Sequence, residues 1–357
     1  MDPSALRILD ANLNRAREGL RVAEEYARFA LESAPFAERL KRMRHGLAEA
    51  ARLLLAGLSS PASPASLSTL EASRDTPGDA GTRIATASEA ARETPEAVAR
   101  ASMKRLEEAL RALEEYGKLA SAEAAAAFKR LRYDAYAVEP LLFASHDRRA
   151  RLAQARLYVL VTGAHASTDA LTAAREAAAG GADMIELREK ELEDRAFYEL
   201  ALAVREAVSP AGALFLVNDR PHIAFLADAD GVHTGAGDLA AHLARRLVGL
   251  ERLIGRSTHA PADLDAALDE GADYAGVGPV YETPTKAHRA PVGLEYVAHA
   301  SREAKLPWFA IGGIDRETLE GVLDAGARSV AVCRAVIGAR DIAAEAAWFK
   351  ARLLERT

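Results

Sequence analysis

The residues best suited to chemistry in this chain lie just after short apolar runs in its second half. Arg188 and Lys190 follow one such run, and the carboxylates Asp219 and Asp238 follow two others. Arginine and lysine bind phosphate oxygens, whereas two carboxylates suit Mg²⁺, a hard cation that is held by few protein ligands. This combination predicts a site for a substrate that carries a diphosphate.

Later runs add hydroxyl groups, another cation and a glycine pair. In the segment GADYAGVGPVYETPTKAH (271–288), Thr283, Thr285 and Lys286 follow a strand-like run. The motif IGGI, which contains Gly313, leaves backbone N–H groups available to a second anion. We therefore expect two phosphorylated substrates to meet where these segments converge.

Each of these residues also has a purely structural interpretation. Asp219 and Asp238 can cap helices, and Lys286 can be solvated in a surface loop. His233 and His259 are more often structural than catalytic. Position favours the functional interpretation, because all these side chains follow strand-like runs.

The elements that must position these residues form a repeated β-α pattern. Eight strand-like runs, each followed by a helical segment, predict a closed (β/α)8 TIM barrel with its functional groups at the carboxyl ends of the strands. An open doubly wound sheet is disfavoured because no GxGxxG motif follows the first run. The runs are residues 157–162, 184–188, 214–218, 231–233, 253–257, 274–277, 308–311 and 329–333.

The first part of the chain has a different pattern. Residues 1–145 are rich in Ala, Leu, Glu and Arg, with apolar positions at helical spacing. Within them, residues 14–30 align with residues 104–120 and repeat the same charged helix face. We therefore predict an all-α N-terminal domain (1–145) with an internal duplication, followed by the barrel domain (150–357).

The charged helix face and the segment between the two domains each have more than one interpretation. The repeated face is either a solvated ladder of ion pairs or part of a set of guanidinium groups, with Arg44 and Arg132, that converges on a phosphate. Asp75 and Asp79 suit a turn better than a Mg²⁺ site. The polar, basic segment 145–156 is predicted to be a linker.

Composition excludes several classes of protein. The net charge of -6 over 357 residues argues against nucleic-acid binding through a general basic field. The single cysteine, Cys333, excludes internal disulfides and zinc clusters and suits a reducing compartment. Neither a secretory signal nor an apolar run long enough for a membrane span is visible. These features predict a soluble, cytoplasmic protein with small-molecule partners, and they leave homo-oligomerisation open.

The motifs of the second half resemble those of the thiamine phosphate synthase family. IELREK, LFLVNDR, DADGVHTGAGDL, IGRSTH, GADYAGVGPVYETPTK, FAIGGI and GARSVAVCRAVI occur in the family's order, at compatible spacings. The resemblance implies a transferase that joins 4-amino-2-methyl-5-hydroxymethylpyrimidine diphosphate to a thiazole phosphate, plain or carboxylated. It implies a Mg²⁺-assisted dissociative substitution, in which diphosphate leaves. A related thiazole tautomerase and a non-catalytic regulatory barrel remain alternatives.

The same resemblance assigns the site residue by residue. It implies that Asp219 and Asp238 bind Mg²⁺ and that Arg188, Lys190, Ser257 and Lys286 act in catalysis on the pyrimidine diphosphate, which Asn218 also contacts. For the thiazole phosphate it implies Thr283, Pro284, Thr285, Gly313 and the backbone of Cys333 and Arg334. Glu186 and Glu189 complete the expected substrate-binding residues.

This sequence departs from the family's pattern at three positions. The family usually has glutamine at the position of Glu186, serine at that of Arg334 and glutamine at that of Ala236. A carboxylate at position 186 can still accept a hydrogen bond from a pyrimidine amine, but it repels a diphosphate unless it is held away. Arg334 either binds phosphate through its side chain or points away from the site.

The N-terminal domain also resembles a known module. DANLNRAREGLRVAEEYAR, RDTPGDAGT and RLEEALRALEEYGK are similar to the helical module fused to some thiamine phosphate synthases. The resemblance implies phosphorylation of hydroxymethylpyrimidine phosphate, the step that supplies the barrel's substrate. No Walker A loop is present. A non-catalytic assembly role is the alternative.

Overall fold

The computed structural model describes residues 1–59, 65–74, 92–283 and 289–356. It divides into two compact units, Met1–Phe143 and Ala144–Thr357. No helix among these residues is both long enough and apolar enough to span a membrane.

The N-terminal unit is helical, as its composition predicts. Asp2 caps the first helix by accepting a hydrogen bond from the backbone N–H of Ser4, and Thr94 caps the fourth helix in the same manner. The helices are α1 (Pro3–Phe29), α2 (Ala34–Leu58), α3 (Leu67–Glu71), α4 (Pro95–Gly117) and α5 (Ala122–Gln154), whose last residues belong to the second unit.

The two copies of the duplicated sequence lie in α1 and α4, which pack closely against each other. Gly19 permits this approach, because a Cβ atom there would lie 2.9 Å from the carbonyl oxygen of Ser102. Arg44 lies 3.1 Å from Glu24, and Arg132 lies 2.7 Å from Glu114 at the matching place in the other copy. Each guanidinium group is therefore neutralised by a glutamate of its own copy, which agrees with the ion-pair interpretation of the charged face.

The second unit is a closed barrel of eight parallel strands, in which β1 pairs with both β2 and β8. The predicted (β/α)8 TIM barrel is therefore confirmed. Its strands are β1 (Leu157–Val161), β2 (Met184–Leu187), β3 (Leu214–Asn218), β4 (Gly231–Thr234), β5 (Leu253–Thr258), β6 (Tyr274–Val277), β7 (Trp308–Ile311) and β8 (Val330–Val332). Its helices are α6 (Ala170–Ala179), α7 (Asp194–Val208), α8 (Pro221–Leu226), α9 (Ala241–Val248), α10 (Pro261–Asp269), α11 (Gly293–Glu303), α12 (Leu319–Asp324), α13 (Arg334–Ile337) and α14 (Ile342–Glu355).

Side chains alternate along each strand between two apolar layers. Val159, Ile185 and Phe215 pack outward against the helices. The adjacent residues Tyr158, Met184 and Leu214 belong to a separate cluster in the barrel interior, together with Leu160, Leu216, Tyr274 and Phe309. The interior is thus a packed core, and the open ends of the strands remain available for function.

An aspartate precedes each of the strands β2, β4 and β6 at the amino-terminal end of the barrel. Asp183 accepts a hydrogen bond of 2.9 Å from the backbone N–H of Leu157, and Asp273 accepts one of 2.7 Å from Ile254. Asp230 makes the equivalent contact with the start of β3. These aspartates satisfy N–H groups near the start of the preceding strand, so they have a structural role.

The prediction that residues 145–156 form a linker is wrong, because nearly all of them belong to α5. Arg148 donates a hydrogen bond of 2.9 Å to Asp230, and Arg149 pairs with Asp273. These arginines therefore neutralise carboxylates at the amino-terminal end of the barrel. Their polar sequence is typical of a solvated segment, and only the fold reveals their carboxylate partners.

Candidate active site

A cavity of about 860 Å³ lies where the barrel strands end. Its volume falls in the range of small-molecule sites, and its wall combines cations, carboxylates and glycines. The structure brings most of the predicted site residues together in this wall. They are Glu186, Arg188, Lys190, Asn218, Asp219, Asp238, Ser257, Thr283, Gly313, Cys333 and Arg334.

Among the described residues, Glu189 is the predicted site residue that does not line this wall. Glu189 follows the same strand as Arg188, but its carboxylate accepts a hydrogen bond from the backbone N–H of Gly163, in the loop after β1. Pro284, Thr285 and Lys286 lie outside the described residues. In the loop after β6 the structure therefore describes the residues through Thr283 and again from Arg289.

The two carboxylates Asp219 and Asp238 form the most polar part of the wall. They lie close enough to affect each other's pKa, and the ammonium group of Lys190 lies 3.0 Å from Asp219. Asp238 also accepts a hydrogen bond of 2.8 Å from the backbone N–H of Gly235, which closes the turn after β4. Two adjacent carboxylates at the edge of a cavity are a donor set that suits a hard divalent cation.

The pKa values of the pair diverge. Burial, followed by the hydrogen bond and the charge of Asp219, raises the pKa of Asp238. Burial also acts to raise the pKa of Asp219, but the hydrogen bond from Asp238 and the ammonium group of Lys190 outweigh it and lower the net pKa. Such opposite shifts are expected for two carboxylates that share a site.

The backbone at Asp219 is strained. Its φ of 61° lies in the left-handed region, which residues with a Cβ atom seldom occupy. A hydrogen bond of 2.8 Å from its N–H to the carbonyl oxygen of His233 fixes the end of β3 to β4. This backbone conformation places the carboxylate beside Asp238, and strained conformations of this kind are frequent at functional sites.

A glycine turn forms another part of the wall. Gly312 and Gly313 have φ values of 103° and 67°. A Cβ atom at Gly312 would lie 2.5 Å from the Cα atom of Pro279, and one at Gly313 would lie 2.7 Å from the Cβ atom of Tyr281. Only glycine therefore allows the chain after β7 to pack against the loop after β6.

A buried chain of hydrogen bonds runs through the barrel interior to the cavity. The hydroxyl of Tyr158 donates to Glu186 and lies 3.1 Å from the hydroxyl of Tyr274. That hydroxyl lies 3.1 Å from Nδ1 of His233, whose Nε2 lies 3.0 Å from Oγ of Ser257. The Glu186 carboxylate is therefore held from inside the barrel, which answers how a negative charge is fixed at this position.

Burial raises the pKa of both Tyr158 and Tyr274 well above the usual range, and the nearby charge of Glu186 adds to this effect. Both phenols consequently keep their protons under ordinary conditions. His233, which the sequence favours as a structural residue, is part of this chain and also lines the cavity.

Sequence reasoning missed four charged or titratable residues of the wall. His165, Glu282, Arg289 and Asp315 line the cavity with the predicted residues. Arg289 lies only a few positions beyond the TPTK motif, and its cationic side chain was a signal that the sequence offered. His165 and Asp315 carry no such signal, because neither belongs to a motif that binds phosphate.

Two family models match the chain. The model described as thiamine monophosphate synthase matches residues 157–336, and the ThiD2 family model matches residues 7–140. The first covers the β-α units of the barrel, and the second covers the helical unit.

Relatives match over nearly the whole chain. A thiamine-phosphate synthase of Synechocystis sp. is 46% identical over 94% of this chain and 92% of its own length. One of Gloeobacter violaceus is 46% identical over 98% of this chain and 96% of its own length. A solved thiamine phosphate pyrophosphorylase from Pyrococcus furiosus is 33% identical, with a TM-score of 0.53, and covers 58% of this chain and 98% of its own.

Proposed function

Since the chain belongs to the thiamine monophosphate synthase family, we propose that its barrel joins 4-amino-2-methyl-5-hydroxymethylpyrimidine diphosphate to a thiazole phosphate. The products are thiamine phosphate and diphosphate. The observation that carries the proposal is the convergence of two adjacent carboxylates, Arg188 and Lys190 in one cavity that also contains a glycine turn. Those groups match a leaving diphosphate and a second phosphorylated substrate.

Asp219 and Asp238 fit a magnesium ion, because they are adjacent carboxylates whose pKa values are shifted in opposite directions by their mutual interaction and by their surroundings. Mg²⁺ bound there would neutralise the charge that develops on the leaving diphosphate. The ammonium group of Lys190, 3.0 Å from Asp219, lies beside the same carboxylates.

The protein's own part in the reaction is electrostatic and positional. The bond from the pyrimidine methylene carbon to the diphosphate breaks, and the electron-rich aminopyrimidine stabilises the resulting positive carbon. Arg188 and Lys190 stabilise the departing oxygen anion by charge-assisted hydrogen bonds. The thiazole nitrogen then forms the new bond, so no side-chain nucleophile is needed.

The second substrate is held on the opposite part of the wall. The turn at Gly312 and Gly313 presents backbone to the cavity, and Thr283 adds a hydroxyl. We assign the thiazole phosphate to these groups, with Arg334 as an added cation where the family usually has serine. Holding both substrates in one cavity brings the thiazole nitrogen to the reacting carbon, which accounts for a large part of such rate enhancements.

The test is the formation of thiamine phosphate by the purified full chain from both substrates, with Mg²⁺ and with excess chelator. We expect product only with Mg²⁺. Isomerisation of a thiazole without condensation would support the tautomerase alternative instead, and substrate binding without any product would support the regulatory barrel.

For the N-terminal unit we propose phosphorylation of the pyrimidine monophosphate, on the strength of its match to the ThiD2 family over residues 7–140. The full chain with Asp219→Asn is the suitable protein, because a disabled barrel leaves any diphosphate product to accumulate. ATP and the pyrimidine monophosphate should then yield the pyrimidine diphosphate. Absence of that product, in a protein with an unchanged circular dichroism spectrum, would favour an assembly role.

A further inference from the structure

Asp238 lies on a short, exposed turn between β4 and α9 that contains two glycines. A Cβ atom on Gly237 would meet no atom of the described residues within 4 Å, so this part of the turn is not packed. The N–H of Asp238 donates to the carbonyl oxygen of Gly235, and the N–H of Gly235 donates to the Asp238 carboxylate. Because glycine is conformationally permissive, a contact from outside the turn is needed to keep the carboxylate in one place.

Arg256 in β5 supplies this contact. It pairs in register with Thr234, the last residue of β4, so its side chain lies beside the start of the turn. Its guanidinium group, whose side chain is 12% exposed, donates through Nη1 to the carbonyl oxygen of Gly235. The same nitrogen lies 3.4 Å from the carbonyl oxygen of Leu239. Arg256 therefore contacts the backbone on both sides of Asp238.

Glu270, at the end of α10, connects this arginine to the far end of the turn. Its Oε2 atom lies 3.2 Å from Nε of Arg256 and accepts a hydrogen bond of 3.0 Å from the N–H of Ala241, the first residue of α9. The preceding residue, Ala240, has no side-chain oxygen that could cap α9, so the Glu270 carboxylate satisfies this N–H group instead. The ion pair thus holds both the turn and the start of the helix that follows it.

Such a restraint matters because Asp238 lies beside a second carboxylate. Burial and the neighbouring Asp219 raise the pKa of Asp238, as expected for carboxylates that repel each other when both are ionised. A divalent cation is bound best by carboxylates that are both ionised and close together. On an unrestrained glycine turn, outward movement of Asp238 would relieve this repulsion and separate the two ligands.

We propose that Arg256, together with Glu270, is a positioning residue that holds the turn after β4. It keeps Asp238 beside Asp219, so that the two carboxylates can bind a divalent cation. This inference rests on the proposed function and deepens it, because it identifies what orients one of the metal ligands. Neither Arg256 nor Glu270 is among the described residues that line the cavity, so both act through the backbone of the turn and not on a substrate.

The experiment measures the binding of Mn²⁺ to the full chain without substrates, from the electron paramagnetic resonance signal of the free ion. Mn²⁺ prefers oxygen ligands, as Mg²⁺ does, and can be observed directly. The relevant site is the one that Asp238→Asn abolishes. Arg256→Met should raise the Mn²⁺ dissociation constant of this site about tenfold, the size expected when a group that orients a metal ligand is lost. Glu270→Ala should raise it by a smaller factor, because Arg256 keeps its contact with Gly235.

Arg245→Met is the matched control. Arg245 lies on α9 itself, its side chain is 10% exposed, and it pairs with Asp273 at the amino-terminal end of the barrel. Like Arg256, it also donates to backbone carbonyl oxygens. Arg245→Met therefore removes the same charge and a similar set of contacts. It should lower the melting temperature at least as much as Arg256→Met does, but change the Mn²⁺ dissociation constant less than about twofold.

An unchanged Mn²⁺ dissociation constant in Arg256→Met would show that this arginine only stabilises the fold, and it would overturn the inference. An equal loss of Mn²⁺ affinity in Arg245→Met would overturn it as well. If thermal melting shows that Arg256→Met does not fold, Glu270→Ala decides, and unchanged affinity in that variant would have the same consequence. Absence of any Mn²⁺ site that depends on Asp238 would instead contradict the metal assignment of the proposed function, so the two failures are distinguishable.

Discussion

The two ends of the barrel use the same residue types for different purposes. At the amino-terminal end, Asp273 accepts from the backbone N–H of Ile254 and pairs with Arg149 and Arg245. At the carboxyl end, Asp219 and Asp238 lie beside each other in the wall of a cavity, and their pKa values are shifted in opposite directions. Carboxylates that the protein itself neutralises stabilise the fold, whereas carboxylates that repel each other beside open space are ready for a ligand.

The largest difference between the two ends is expected for the effects of substituting their aspartates. Asp238→Asn should lower kcat/KM roughly 10²- to 10³-fold with little loss of stability, because it removes a charge that acts on the leaving group. Asp273→Asn should leave kcat/KM near its wild-type value but lower the free energy of unfolding by about 3 kcal/mol, since two arginines lose a buried partner. Steady-state kinetics and urea unfolding of both variants test this difference. A similar decrease of kcat/KM in both variants would contradict the assignment of different roles to the two aspartates.

Lysines at the two ends provide a second contrast. Lys190 lies 3.0 Å from Asp219, and Lys350 lies 2.5 Å from Asp183. Lys190→Met should reduce kcat/KM about 100-fold through the lost stabilisation of the diphosphate. Lys350→Met should instead cost about 1 kcal/mol of stability, as for a partly exposed ion pair. Unchanged turnover in Lys190→Met would show that this ammonium group serves only to hold Asp219.

Lys286 extends the comparison to the loop after β6. The sequence predicts that its ammonium group contacts the diphosphate, so Lys286→Ala should lower turnover about tenfold or more and leave the fold intact. Lys305→Ala is the control, because this substitution removes the same positive charge from a residue that does not line the cavity. The measurement is kcat at saturating substrate, and near-wild-type turnover of Lys286→Ala would count heavily against this role.

Glycines at the two ends give the smallest expected effects. Gly313→Ala places a Cβ atom 2.7 Å from that of Tyr281 and should raise KM for the thiazole phosphate several-fold. Gly181→Ala, at the amino-terminal end, meets only the flexible side chain of Lys350 at 3.5 Å. It should cost about 1 kcal/mol of stability through its positive φ and leave KM unchanged. Equal KM values for the thiazole phosphate in the two variants would show that Gly313 is not part of the phosphate site.

Much of the carboxyl-end site was accessible from the sequence. The strand pattern predicted the closed barrel, and the side chains after each strand predicted a shared wall that includes Arg188, Asp219 and Asp238. Glu189 shows the limit of this reasoning, because it follows the same strand as Arg188 yet bonds to the backbone of Gly163. Sequence position gives the end of the barrel on which a residue lies, but not the direction in which its side chain turns.

The amino-terminal end was far less accessible. The aspartates that precede β2, β4 and β6 carry structural hydrogen bonds that the sequence did not predict. Segment 145–156 was polar enough to predict a linker, although its Arg148 and Arg149 have carboxylate partners far along the chain. Local polarity cannot distinguish a solvated arginine from one that is paired within the fold.

The sequence alone determined the order and type of the elements, because hydrophobic periodicity and turn residues are local properties. It also determined which kinds of ligand the carboxyl end of the barrel would bind, because the charge and hydrogen-bonding capacity of guanidinium, ammonium and carboxylate groups depend on residue type. Only the tertiary structure decided which charges are satisfied and how Glu186 is connected to Ser257. Hydrogen bonds require donor and acceptor atoms about 3 Å apart. Residues that are far apart in the sequence come this close only because the barrel closes with a fixed strand register.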